Sequence, residues 1–182
     1  MGLKDWTTRD LMVLAALVVG LAVVSAISSY LRTVLEASLG PIGNRLVMVI
    51  NIVVLFVPIY LLRRPGSAVL ASILIGLISL PFSPFGLISL VGYLVGGILV
   101  ELIFAGGRYR TYTLTFLMIA GIIYNAISLG FIWIPLEVGA LSTGALVAVA
   151  FATIVGGALG GWLTKMIGDG VSQSGIMSLA GE

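Results

Sequence analysis

Residues 85–110 read FGLISLVGYLVGGILVELIFAGGRYR, and this stretch decides the fold. A predominantly apolar run fills 85–105, and at about 1.5 Å of rise per residue it matches a bilayer core of roughly 30 Å. Gly-Gly-Arg-Tyr-Arg then stops it. Ser89, Tyr93, Gly97 and Glu101 recur every fourth residue, which lines up one slanting stripe on a helix whose other sides are Leu, Val and Ile. That stripe is expected to face protein. Glu101 is the only acid inside an apolar segment, where a charge costs on the order of 2 to 4 kcal/mol unless it is shielded or paired.

The whole chain has the same character. Of its 182 residues 60% are hydrophobic and 9% charged, against about a quarter charged in a soluble globule, so it reads as an all-α integral membrane protein. Cysteine and histidine are absent, which removes disulfides, thiol and imidazole chemistry and the common transition-metal sites together. The formal charge of +2 comes from basic residues scattered between hydrophobic segments, a pattern that reports topology and not nucleic-acid binding. Neither a phosphate loop, nor paired carboxylates in one segment, nor a Ser-His or Cys-His set is present. No catalytic residue, metal site or cofactor is expected, and any energy source must lie in a partner or an ion gradient.

Counting outward from 85–105 gives a single domain of six spans, at 11–30, 46–62, 68–80, 85–105, 111–133 and 142–167. Residues 31–45 are expected as a loop, with Gly40-Pro41-Ile42-Gly43 breaking helix. The third span is too short to cross unless its ends are shielded, and Pro81-Phe82-Ser83-Pro84 turns it into the fourth. Residues 134–141 form the last loop. The final fifteen residues, with Gly168-Asp169-Gly170, read as a polar tail. Seven of the nine basic residues (Lys4, Arg9, Arg63, Arg64, Arg108, Arg110 and Lys165) fall on one side and Arg32 and Arg45 on the other, which predicts cytoplasmic termini.

With that orientation Asn51, Ser79, Ser89, Tyr93, Asn125 and Ser128 lie in the outer half of the membrane, and Tyr124 near mid-depth. Polar groups at one depth on neighbouring spans are what an outward-facing pocket requires, so these seven are the candidate substrate-binding residues. Interhelical hydrogen bonding is the competing role for them. Glu101 lies nearer the cytoplasmic end, within reach of Arg108 or of the Arg63-Arg64 turn, and a structural ion pair is expected there. Ala16 and Gly20, spaced by four on the first span, permit close helix approach.

Several short pieces occur in one order along nearly the whole chain. They are Trp6, Gly40-Pro41-Ile42, Arg64-Pro65-Gly66, the segments 101–104, 108–112 and 117–121, and finally 156–174. As a collinear set they resemble the S-components of energy-coupling-factor (ECF) vitamin transporters, most closely the YkoE type associated with thiamine and its hydroxymethylpyrimidine precursor. The resemblance implies a six-helix bundle in the cell membrane that binds a small vitamin-like ligand near the outer face. It also implies docking, in contact with membrane lipid, onto a T-component driven by two cytoplasmic ATPases, with Ala16 and Gly20 at the interface. Where the resemblance places acids in the third span this chain has Ser72 and Ser79, which favours a neutral ligand over thiamine's cation. Two other readings of the same polar pattern are a self-sufficient channel or gradient-driven carrier, and a membrane scaffold without a ligand.

Overall fold

The computed structural model describes residues 7–84, 86–133 and 142–173. Among these, six α-helices follow one another in alternating directions: α1 (Thr8–Leu39), α2 (Pro41–Leu62), α3 (Ser67–Ser79), α4 (Leu87–Gly106), α5 (Leu114–Trp133) and α6 (Thr143–Gln173), with a 3-10 turn at Leu80–Phe82. Four of them, α1, α2, α4 and α6, are long and apolar enough to cross a membrane. Trp6, Phe85, the 134–141 loop and the chain beyond Gln173 lie outside the described residues.

Each helix begins and ends for a local reason. Thr7 caps α1 by accepting from the Asp10 amide at 3.2 Å, while the Thr7 amide donates to Asp10 Oδ2 at 2.9 Å, the reciprocal capping box. The helix then runs on to Leu39, through most of the residues expected as a loop. Only Gly40 separates it from α2: with φ at 58° it takes a conformation that side chains disfavour, and Pro41 opens the next helix with its fixed φ. The expected 31–45 loop is therefore a one-residue corner. At the other end of the chain, helix α6 carries Asp169 and continues to Gln173, so residues 168–173, expected as part of a polar tail, are helical.

Helix α2 is the centre of the bundle and touches the other five. Its apolar residues from Ile52 to Leu61 are all buried, as a helix that is hydrophobic all round must be. Glycines set the closest approaches around it. A Cβ at Gly161 would stand against the Leu117 carbonyl and one at Gly160 against Ile52, so α6 lies almost backbone to backbone on α5 and close on α2. A Cβ at Gly97 would overlap Ser72, which brings α4 equally close to α3.

Glu101, on that same face of α4, does not pair with Arg108. Its carboxylate accepts from the Gly66 amide at 2.6 Å, the Ala68 amide at 3.1 Å and Tyr109 Oη at 2.7 Å. Gly66 is the N-cap of α3, which has no side-chain cap of its own, so Glu101 supplies from α4 the anion that the first turn of α3 needs. Arg108 stands exposed in the following turn. Burial, and then the hydrogen bond to Glu101, hold the Tyr109 phenol above its ordinary range and keep it a donor.

Candidate functional site

The opposite end of the bundle, beside the Gly40 corner, holds a cavity of about 330 Å³. Four helices line it. α1 contributes Ser28, Ser29 and Arg32, α2 Met48, Asn51 and Leu55, α4 Ile88, Ser89, Gly92 and Tyr93, and α5 Tyr124. Their spacings explain the arrangement: Ser28 and Arg32, Met48 and Asn51, and Ser89 and Tyr93 lie three or four apart and so share a helix face. Gly92 adds no side chain, leaving room between Ser89 and Tyr93.

Four of the seven residues expected to bind substrate are brought together here: Asn51, Ser89, Tyr93 and Tyr124. The other three are elsewhere. Ser79 is buried between α3 and α1, with Oγ 3.4 Å from the Ala22 carbonyl and 3.5 Å from Ser25 Oγ. Tyr93 also bonds Ser25, so one wall of the cavity is tied to α1. Asn125 and Ser128 face away from the cavity and hold Arg45, a residue that the sequence placed in a loop. Arg45 is 1% exposed. Its Nη1 donates to the Asn125 carbonyl, Asn125 Oδ1 and Ser128 Oγ at 3.0–3.1 Å, and its Nη2 donates to Asn44 Oδ1 at 2.7 Å. Asn125 Nδ2 then reaches the Thr153 carbonyl on α6 at 2.9 Å. These bonds fasten α2, α5 and α6 together behind the cavity and fix the turn of α5 from which Tyr124 enters it.

The network also reaches the cavity wall. Asn44 Nδ2 donates to Glu36 Oε2 at 3.2 Å, and the same oxygen meets Arg32 Nε at 3.4 Å. Ser28, Ser29 and Arg32 are not among the residues expected to bind substrate, Arg32 because it falls in the expected 31–45 loop. The polar series Ser25, Ser28, Ser29, Arg32, Glu36, at helical spacing, was the available signal.

Toward the other end an aromatic stack closes the bundle. The Tyr124 ring packs edge-on against Phe56 at 6.0 Å, Phe56 against Phe104 at 5.3 Å and Phe104 against Phe116 at 5.4 Å. Phe56 and Phe104 are almost fully buried. On the outside of α1, Ala16 and Gly20 are both exposed, and a Cβ at Gly20 would meet nothing within 4 Å.

A glycine-seamed bundle of apolar helices, four of them long and apolar enough to cross a membrane, has the build of a multi-pass membrane protein. The chain belongs to the family described as ABC-type cobalt transport system, permease component, whose model matches residues 9–128. It is 26% identical over 178 residues to YkoE of Bacillus subtilis (strain 168), named provisionally as an HMP/thiamine permease protein; the match covers 97% of this chain and 89% of that one. It also matches a solved structure described as the crystal structure of an S-component of an ECF transporter, with a TM-score of 0.85 and 26% identity, over 94% of this chain and 88% of the other. The resemblance to ECF S-components that the sequence carries is thus shown by sequence and by fold.

Proposed function

We propose that this chain is the substrate-capture subunit of an ECF importer in the cell membrane, a single six-span domain with both termini cytoplasmic. It captures a small vitamin or precursor, of the thiamine or hydroxymethylpyrimidine kind, in the cavity beside the Gly40 corner. A T-component and two cytoplasmic ATPases power release, and the exposed Ala16–Gly20 face of α1 is the surface offered to the T-component. The observation that carries this reading is a cavity with hydroxyl, amide and guanidinium groups at one end of the bundle, backed by a buried aromatic stack. A site closed on one side suits capture. A channel or gradient-driven carrier needs a polar path to both faces, and the Tyr124, Phe56 and Phe104 rings stand across it.

Native mass spectrometry of the purified protein should reveal a co-purified small molecule, and calorimetry with that molecule should give a single site. Asn51→Ala should then weaken binding by about 1 to 3 kcal/mol, or roughly five- to 150-fold, because a buried polar atom of the ligand loses its partner. Unchanged affinity in a variant with a native melting curve would remove the cavity as the binding site.

A further inference from the structure

Most of the hydroxyls in the cavity wall are already committed to the protein. Ser28 and Ser29 both donate to the Ser25 carbonyl, at 2.8 and 3.0 Å, and Ser89 donates to the Gly86 carbonyl at 2.7 Å. A serine has one proton, so each of these offers a ligand only its lone pairs. The Tyr93 and Ser25 hydroxyls bond each other, and Arg32 meets Glu36. Asn51 and Tyr124 differ. Both line the cavity, Asn51 half-buried and Tyr124 only 5% exposed, yet among the described residues neither side chain has a hydrogen-bond partner. Buried polar groups are nearly always paired, so two that face a cavity without a partner mark where the polar atoms of a ligand go. The fold sets their separation. A Cβ at Gly96 would stand 2.9 Å from the Tyr124 hydroxyl and 3.1 Å from Leu55, so the phenol tip lies beside Leu55 where α2, α4 and α5 meet. Leu55 is one turn of α2 beyond Asn51, or about 6 Å of rise, which puts the phenol that much further from the Gly40 corner than the amide.

We infer that Asn51 and Tyr124 are the pair that reads the ligand: Asn51 takes a flat edge on which a donor stands beside an acceptor, and Tyr124 takes one further polar atom at the deep end. This rests on the cavity being the ligand site, as proposed above, and adds which residues select and what they select. A primary amide holds an N–H donor and a carbonyl acceptor side by side, so it forms two parallel bonds with an edge of the same kind. An amino group next to a ring nitrogen is such an edge, and so is the N–H and carbonyl of a lactam. Met48, Leu55 and Ile88 supply apolar contact for the faces of the ring.

Hydroxymethylpyrimidine is the probe, since its amino group and the adjacent ring nitrogen form such an edge, and two analogues alter that edge alone. Hydrogen in place of the amino group removes the donor; an oxo group in its place gives a lactam, with donor and acceptor exchanged. Calorimetry on the purified full chain should show the lactam within about tenfold of the parent, because the amide can turn to meet either order, and the des-amino analogue weaker than the parent by about five- to 150-fold. In Asn51→Leu the parent should fall to the level of the des-amino analogue. Tyr124→Phe keeps the ring against Phe56 and should weaken all three probes severalfold while leaving their ratios unchanged. If Asn51→Leu does not fold, the analogue series on the wild-type chain carries the test with Tyr124→Phe. Equal binding of parent and des-amino analogue, a lactam that binds no better than the des-amino analogue, a ratio that survives in folded Asn51→Leu, or wild-type affinity in Tyr124→Phe overturns the pair and leaves the capture function standing. Failure of the parent to bind natively folded protein overturns the pair together with the cavity as a site for this kind of ligand.

Discussion

Glu101 and Arg45 are both charges set into an apolar bundle, and the chain accommodates them by different means. Glu101 takes its partners from backbone amides at the open start of α3 and from one phenol, groups that would be unsatisfied without it. Arg45 depends on side chains brought from α2 and α5, and its Nε–H finds no partner among the described residues. An acid at a helix start meets amides that any sequence provides. A buried guanidinium needs several specific acceptors, so it commits Asn44, Asn125 and Ser128 as well as itself.

The sharpest way to break this comparison is at Arg45. Arg45→Met keeps apolar bulk and abandons four acceptors, so it should cost on the order of 3 to 5 kcal/mol, visible as a large fall in melting temperature in detergent. A melting temperature within a degree of wild type would show that the seam holds without the guanidinium. Glu101→Gln comes next, because one face of the new amide turns N–H groups toward an N–H of α3; a loss of about 1 to 3 kcal/mol is expected. Ligand affinity should stay at the wild-type value, since Glu101 lies at the end of the bundle away from the cavity. Lost binding in a stable Glu101→Gln protein would place ligand contact at the wrong end for the present reading. The smallest effect belongs to Tyr109→Phe, which removes one of three donors and leaves both amides in place. Its expected cost is about 0.5 to 1.5 kcal/mol, read from the same melts, and a larger loss would mean that the phenol and not the helix start carries Glu101.

The same pair shows what the sequence could carry. Glu101 stands out as a lone acid in an apolar run, and its every-fourth-residue stripe with Tyr93 and Gly97 does face protein. Arg45 was hidden beside Gly40-Pro41 and Gly43. A glycine with positive φ followed by proline serves a loop and a corner between two helices equally well, so composition does not separate them. Neighbourhood was legible by counting along each helix: Tyr124 lines the cavity, and Asn125 and Ser128 lie close behind it on Arg45. Direction was not. Successive residues on a helix point about 100° apart, so Tyr124 enters the cavity while its neighbour Asn125 turns to Arg45, and only the positions of α2 and α6 decide which does which. Ser79 went astray for the same reason.

The Gly40 corner ties the angular phase of α2 to that of α1. With a single residue between the helices, there is no slack in which a change of length can be absorbed, and a Cβ at Gly43 would collide with the Leu35 carbonyl. One inserted residue would rotate α2 by about 100° relative to its hairpin partner. Asn51 would swing away from Arg32, Arg45 would swing away from Asn125, and the helix at the centre of the bundle would show each neighbour a different face. The number of residues at this corner works like the tooth count of a gear: it sets which side of α2 looks into the cavity and which side is locked against α5 and α6.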